Sequence, residues 1–270
     1  MRSVIIEMLN DTFNTTIFTS LVPQSPVVYA LAFVVASIVF INRSRDVGLS
    51  HKYAFWSGIW AIAFGLVGAR FYWVMQNYNS VITSPTLAIT GGTGSFGGYV
   101  GGILGFIISL RLYGSRPLKY MDSASSTIGL GICISRLGCF LNGCCFGTIS
   151  TLPWAVRFPS GSLPYNAQLS EELIDSCAQS TLPIHPVQLY LAFNGLILFL
   201  ITTQFWNKYR QYEGSTFFFF WLLFCVTRFS LEFLRGDSIR GYIGVLSTPQ
   251  LLCFLLIPFL VLGISWSFRR

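Results

Sequence analysis

Apolar runs recur along the whole chain, separated by short polar stretches. Seven stand out, at 27–41, 53–75, 96–113, 121–141, 187–206, 216–235 and 247–268. Most approach the roughly 20 residues that a helix needs to cross the hydrocarbon core, and the first borrows from its flanks to do so. The pattern predicts an all-α polytopic membrane protein of about seven transmembrane helices. The sequence reads as one integral-membrane domain, 1–270, and its longest connection, 142–186, as a small head between helices four and five.

Composition supports this. Of 270 residues, 53% are apolar and 10% charged, whereas a soluble domain carries about 25% charged residues. Mean hydropathy is +0.62. The segment MRSVIIEMLNDTF is a poor signal peptide, because Glu7, Asn10 and Asp11 interrupt its apolar core. Val4, Ile5, Met8, Leu9 and Phe13 share one face of a helix that would lie along the interface, and a frayed terminus is the plainer alternative.

The formal charge of +7 would suggest nucleic acid in a soluble protein, but here it follows topology. One set of connections holds Arg43, Arg45 and Lys52, then Arg111, Arg116 and Lys119, then Lys208 and Arg210, and finally Arg269 and Arg270. The other set pairs Arg2 with Glu7 and Asp11, leaves 77–95 uncharged, and sets Arg157 against Glu171, Glu172 and Asp175. Basic loops stay cytoplasmic, so the N-terminus is expected outside and the C-terminus inside. No nucleic-acid partner is expected.

The stretch GGTGSFGGYVGG (91–102) has the outline of a dinucleotide-binding turn, Gly92-x-Gly94-x-x-Gly97. No βαβ unit surrounds it, and it lies at the outer entrance of the third span, away from cytoplasmic nucleotides. Gly98-x-x-x-Gly102 and Gly101-x-x-x-Gly105 instead make a smooth face for a neighbouring helix. A backbone nest at Gly97 and Gly98 that helps hold an anion is the second reading.

Four charges lie inside the expected spans: Arg70, Arg136, Arg228 and Glu232. A central charge costs about 2.5–3.5 kcal/mol on insertion scales, so such residues usually face a cavity and a partner. All four fall in the outer halves of spans two, four and six, with His185 and Arg235 at the outer boundary. Arg228 and Glu232, four residues apart, can pair on one helical face. Arg70 and Arg136 have no obvious acidic partner within the membrane. Surplus positive charge in the outer leaflet calls for an anion, and a guanidinium grips a phospholipid phosphate with two parallel hydrogen bonds. Arg70 and Arg235, near helix ends, can equally snorkel to head groups. Arg136 is harder to explain that way, because Ser123, Ala124, Ser125, Ser126, Gly129 and Gly131 mark its helix as tightly enclosed.

The stretch ISRLGCFLNGCCFG (134–147) resembles the signature of prolipoprotein diacylglyceryl transferases, in which Gly-Arg-x-Gly-Asn-Phe-x-Asn-Gly closes a central helix. Other matches keep the same chain order: Tyr29 in the first span, Gly68-Ala69-Arg70 ending the second, SFGGYVGG entering the third, PWAVRFPSGS (153–162) in the outer loop, HPVQLY (185–190) before the fifth, and RFSLEFLRGD (228–237) closing the sixth. The resemblance covers nearly the whole chain. It implies transfer of the diacylglyceryl group of phosphatidylglycerol to the lipobox cysteine thiol of a prelipoprotein, with release of glycerol phosphate. The site would sit at the periplasmic leaflet of a bacterial plasma membrane, among membrane lipids.

The resemblance places Arg136 and Arg228 on the phosphate, with Glu232 orienting Arg228 or relaying a proton. Asn142 and Gly143 end the Arg136 helix, where Asn142 either bonds head-group oxygens or caps the helix. Tyr29 either offers its hydroxyl to the cavity or anchors at the interface. Arg70, Arg235, Gly97 and Gly98 complete the expected lipid-binding set. The departures fall on proton transfer. Phe96 stands where the family carries His or Tyr, Cys139 replaces an asparagine, Cys144 stands where an acid often follows Asn-Gly, and Leu191 replaces the acid after HPxQLY. His185 and Glu232 remain as candidate bases, and His185, before Pro186, can also simply shape the turn.

Cys139, Cys144 and Cys145 cluster near the end of span four, and Cys177 lies in the outer loop, where it can bridge Cys144 or Cys145. The paired CxxC knuckles of a zinc site are missing, so no metal is expected, nor any cofactor. Cys133, Cys225 and Cys253 read as buried small hydrophobes. Two other functions compete: a paralogue using the same lipid with another acceptor, and a non-catalytic lipid carrier or transporter. The latter would show repeated halves, which this chain lacks.

Overall fold

The computed structural model describes residues 25–92, 94–237 and 241–270. The expected interfacial face of Val4, Ile5, Met8, Leu9 and Phe13 lies outside the described residues, as do Arg2, Glu7 and Asp11. In chain order the elements are α1 (Ser25–Asp46), α2 (His51–Gln76), the short α3 (Tyr78–Thr83) and α4 (Leu87–Thr90), α5 (Ser95–Leu112) and α6 (Pro117–Asn142). They continue with α7 (Leu163–Ser170), α8 (Val187–Tyr209), α9 (Ser215–Glu232), β1 (Tyr242–Ile243), β2 (Leu246–Ser247) and α10 (Thr248–Arg269).

Among the described residues, α1, α2, α6, α8, α9 and α10 are the 6 helices long and apolar enough to cross a membrane. The third expected span is α5, whose 18 residues extend about 27 Å, close to the thickness of a hydrocarbon core of about 30 Å. Large apolar side chains such as Val67 (69% exposed) and Phe259 (70%) cover the helix exteriors. Water would not tolerate so much exposed apolar surface, whereas lipid does. The chain is a multi-pass membrane protein.

The chain falls into two compact units, residues 37–124 and the segments on either side of it, up to Ala36 and from Ser125. In the 37–124 unit, α2 and α5 pack backbone to backbone along glycines. A Cβ on Gly101 would lie 3.2 Å from the Gly68 Cα, and one on Gly105 2.6 Å from the Phe64 Cβ. One on Gly97 would overlap the backbone of Gly68. The glycine run is thus a helix-packing seam. Towards the other end, Ser44 and Ser123 share a hydrogen bond of 3.1 Å, and the Ser50 N–H donates to the Tyr120 hydroxyl at 3.0 Å.

In the second unit, α6 and α8 cross closely where a Cβ on Gly129 would lie 2.7 Å from the Gly195 carbonyl oxygen. Cys225, Cys253 and Leu260 form the α9–α10 core with Phe218, Trp221, Phe229 and Ile257. Cys225 and Cys253 are therefore the buried small hydrophobes expected of them. The segment 142–186 contains α7 and isolated bridges joining Ile149 and Val156 to Ile184 and Pro159 to Ser180. Phe158, Thr181 and Ile184 are its buried centre, and the Phe158 ring meets Phe140 of α6 edge-on at 6.0 Å. The β1–β2 ribbon, turned at Gly244 with φ +63°, leads into α10.

Candidate active site

The second unit gathers charged side chains where α9 gives way to extended chain. Arg228 Nη2 lies 2.7 Å from Glu232 Oε2, the i,i+4 pair that the spacing predicts. Glu232 is only 4% exposed, and its Oε1 accepts from the Ser247 hydroxyl at 3.2 Å. Ser247 is itself fixed as the N-cap of α10, in a capping box with Gln250. Arg235 Nη1 stands 4.0 Å from Glu232 Oε2. Its Nε and Nη2 donate to the two oxygens of Asp237 at 2.9 and 2.6 Å, a bidentate fork.

This corrects one expectation. Arg235 does not snorkel; it is 9% exposed. The chain is extended at Arg235, where Gly147 pairs with it in an isolated bridge. Residues two apart on extended chain point the same way, so Asp237 captures the guanidinium. The sequence showed this signal in the Arg235-x-Asp237 spacing, but a helical reading through 235 hid it.

Arg136, near the end of α6, donates from Nη1 to the Cys139 sulfur at 3.9 Å. The Tyr29 hydroxyl donates to the same sulfur at 3.6 Å and faces Cys144 Sγ at 4.0 Å. Tyr29 approaches because Gly138 has no side chain; a Cβ there would lie 2.9 Å from its ring. Asn142 is exposed at the helix end, and Gly143, at φ +77°, turns the chain away, its N–H donating to Phe140 O at 3.2 Å. Fully buried Gln188 donates to the Cys144 carbonyl at 2.9 Å. Cys145 lies outside the helix, and its thiol is held well below the usual thiol range. Hydrogen bonding with Cys139 and Cys144 is the main cause, aided by the nearby Arg136 and Arg235 charges and opposed by burial.

Arg228 and Arg235 both approach Glu232, and Arg235 and Arg136 both lie near Cys145. His185 joins the neighbourhood through backbone. Its N–H donates to Thr148 O at 2.9 Å, and the Thr148 N–H donates to Leu234 O at 2.9 Å, one residue before Arg235. Its Nδ1 meets the Tyr190 hydroxyl at 3.4 Å, and Trp154 Nε1 donates to that hydroxyl at 2.7 Å.

The profile of the prolipoprotein diacylglyceryl transferase family matches residues 25–266. The chain belongs to that family. Its relatives include the phosphatidylglycerol–prolipoprotein diacylglyceryl transferases of Clostridium tetani, 30% identical with 82% of this chain and 83% of the relative covered, and of Wolbachia pipientis, 30% identical with 90% of each covered. The enzyme of that name from Pseudomonas aeruginosa is 31% identical over 80% of this chain and 76% of its own.

In this diacylglyceryl transferase family member, the 37–124 unit holds the other expected site residues. Arg70 Nε donates to Ala88 O at 2.8 Å, and Nη1 donates to the carbonyls of Gly91 and of Gly92, the latter at 2.5 Å. The Arg70 guanidinium also lies 5.7 Å from the Trp73 ring. Gly97 and Gly98 belong to the packing seam against Gly68, Ala69 and Gly65. The Phe96 side chain lies outside the described side chains.

All seven cysteines are free thiols, and Cys177 bridges neither Cys144 nor Cys145. Cys139, Cys144 and Cys145 have their sulfurs within 4.8 Å of one another. This is the grouping the sequence suggested, and the left-handed turn after α6 brings the sulfurs together. Ser247, Gln188 and Asp237 are further residues that sequence reasoning did not assign. For Ser247 the signal was the Ser247-Thr-Pro-Gln250 capping box.

Proposed function

We propose that this chain, acting as one transferase domain over 1–270, moves the diacylglyceryl group of phosphatidylglycerol to the lipobox cysteine thiol of prelipoproteins. Its place would be the bacterial plasma membrane, N-terminus out and C-terminus in, with the site toward the periplasmic leaflet. The acceptor thiol gives up its proton, since the thiolate is the nucleophile. Its sulfur attacks the glyceryl carbon that bears the phosphate, forming a C–S bond. The C–O bond breaks, and both its electrons leave with glycerol phosphate. Fixed positive charge lowers the barrier by stabilising that leaving anion.

The carrying observation is the network around Glu232. One buried carboxylate, held by Ser247, fixes Arg228 at 2.7 Å and approaches Arg235 at 4.0 Å. Glu232 thereby positions cationic groups that need no reorganisation when charge develops. Arg136 supplies further charge at the end of α6, and Tyr29 and Asn142 frame the same helix end for head-group oxygens. Gly143 turns the chain there. Glu232 spends its charge on arginines, so we assign proton removal to His185, whose imidazole has a ring nitrogen able to accept a proton. Arg70, Gly97 and Gly98 would act on the lipid indirectly, by shaping the entry to α5.

The test is turnover by purified protein in micelles containing phosphatidylglycerol and a lipobox peptide. The expected product is a peptide heavier by one diacylglyceryl group, absent when its cysteine is serine. Lipid binding without product would instead favour a carrier. The replacements at Phe96, Cys139 and Cys144 favour a second reading, a paralogue with another acceptor. Failure to rescue a strain depleted of its own transferase, despite good membrane expression, would support that reading.

A further inference from the structure

We propose that Cys139, Cys144 and Cys145 form a three-thiolate site for a thiophilic closed-shell cation, zinc(II) or copper(I), at the end of the Arg136 helix. The three sulfurs lie within 4.8 Å of one another. Zn–S bonds of about 2.3 Å hold thiolates roughly 3.8–4.0 Å apart in tetrahedral or trigonal geometry, so a small contraction completes the site. A disulfide would use only two of the three sulfurs, and one between the adjacent Cys144 and Cys145 would close a strained ring.

The backbone is shaped for this convergence. Gly143 at φ +77° and Cys145 at φ +58° are both left-handed, a conformation that costs a side-chain-bearing residue about 1–3 kcal/mol. Together they fold the chain back over the turn of α6 that carries Cys139. Gln188, fully buried, clamps the Cys144 carbonyl at 2.9 Å.

The surroundings suit an anionic thiolate cluster. Three thiolates exceed the charge of either ion, and the Arg136 guanidinium beside them offsets part of that excess. Arg136 also donates to Cys139 Sγ at 3.9 Å, the outer-shell contact that tunes a metal ligand. The Tyr29 hydroxyl, 3.6 and 4.0 Å from two of the sulfurs, is placed to donate to a thiolate or to take a fourth position. Bound metal would pin the helix end and with it Arg136. The site stands independently of the transfer reading, because its binding is measured without substrate.

Protein purified in micelles, reduced, loaded separately with zinc(II) and copper(I), and dialysed should retain about one ion per chain. The Cys144→Ser/Cys145→Ser double variant should retain less than about a tenth of that, and Cys177→Ser should match the wild type. Zinc should also shield the three cysteines, and not Cys177, from alkylation in the intact protein; this second readout needs no variant. Retention of neither ion, equal retention by wild type and double variant, or a disulfide joining any two of the three cysteines in protein taken from membranes would overturn the proposal.

Discussion

Arg70 and Arg228 both lie near the end of an apolar helix, Arg228 with Glu232 one turn further on, and the structure uses them differently. Arg70 donates to backbone carbonyls of residues 88, 91 and 92, which lie before α5. Arg228 donates to a carboxylate, Glu232, that is also bound by Ser247 and approached by Arg235. Arg70 is a local staple for a loop. Arg228 is part of a charge array fixed by residues from two segments. An intramembrane arginine therefore declares little until its donors are traced to their acceptors.

The contrast breaks most visibly through the array. Arg136→Ala should cut diacylglyceryl transfer by about 100-fold or more, as loss of one preorganised donor does. Its content of folded protein in the membrane should stay near normal. Arg228→Ala should be as damaging to transfer, and should also destabilise the fold by about 3–5 kcal/mol, because Glu232 is left buried without its closest cation. Transfer assays at matched protein, with thermal unfolding in the same detergent, separate the two effects.

Glu232→Gln keeps the shape and removes the charge. Transfer should fall about 10- to 100-fold through misplacement of Arg228. The losses of Glu232→Gln and Arg228→Lys should also combine less than additively, since both act through one pair. Independent, additive losses would detach Glu232 from the array.

In the other unit the effects should be on stability. Gly101→Val places methyl groups against the α2 backbone and should cost about 1–3 kcal/mol, read as a lower Tm. Arg70→Gln should be mildest. Losing its hydrogen bonds to the loop should cost about 1–2 kcal/mol of stability, with transfer reduced only a few-fold. A loss for Arg70→Gln equal to that of Arg136→Ala would erase the distinction between staple and array.

The spans were legible because an apolar run long enough to cross lipid needs no knowledge of its neighbours. The glycine seam was legible for a similar reason: small residues four apart on α5 leave a smooth face for a neighbouring helix. The Arg228–Glu232 pair followed from helical spacing. What escaped the sequence depended on where helices stop. Once α9 ends at Glu232, the extended chain turns Arg235 onto Asp237, an outcome the reading of a helix through 235 could not give. The grouping of Cys139, Cys144 and Cys145 was visible in the sequence, but the approach of their sulfurs to within 4.8 Å depended on two left-handed residues after α6, one of them the non-glycine Cys145, which no periodicity reports. The Glu232–Ser247 bond spans 15 positions and required the ribbon before α10.

The central claim is that fixed guanidinium charge stabilises a departing lipid phosphate, and it is tested most directly by kcat for phosphatidylglycerol-dependent transfer in Arg136→Ala. Measured at equal folded protein and unchanged Tm, kcat should fall by about 100-fold or more while lipid KM changes far less. A kcat within about twofold of wild type would contradict the claim, because a charge that contributes so little to the barrier is not stabilising the leaving group.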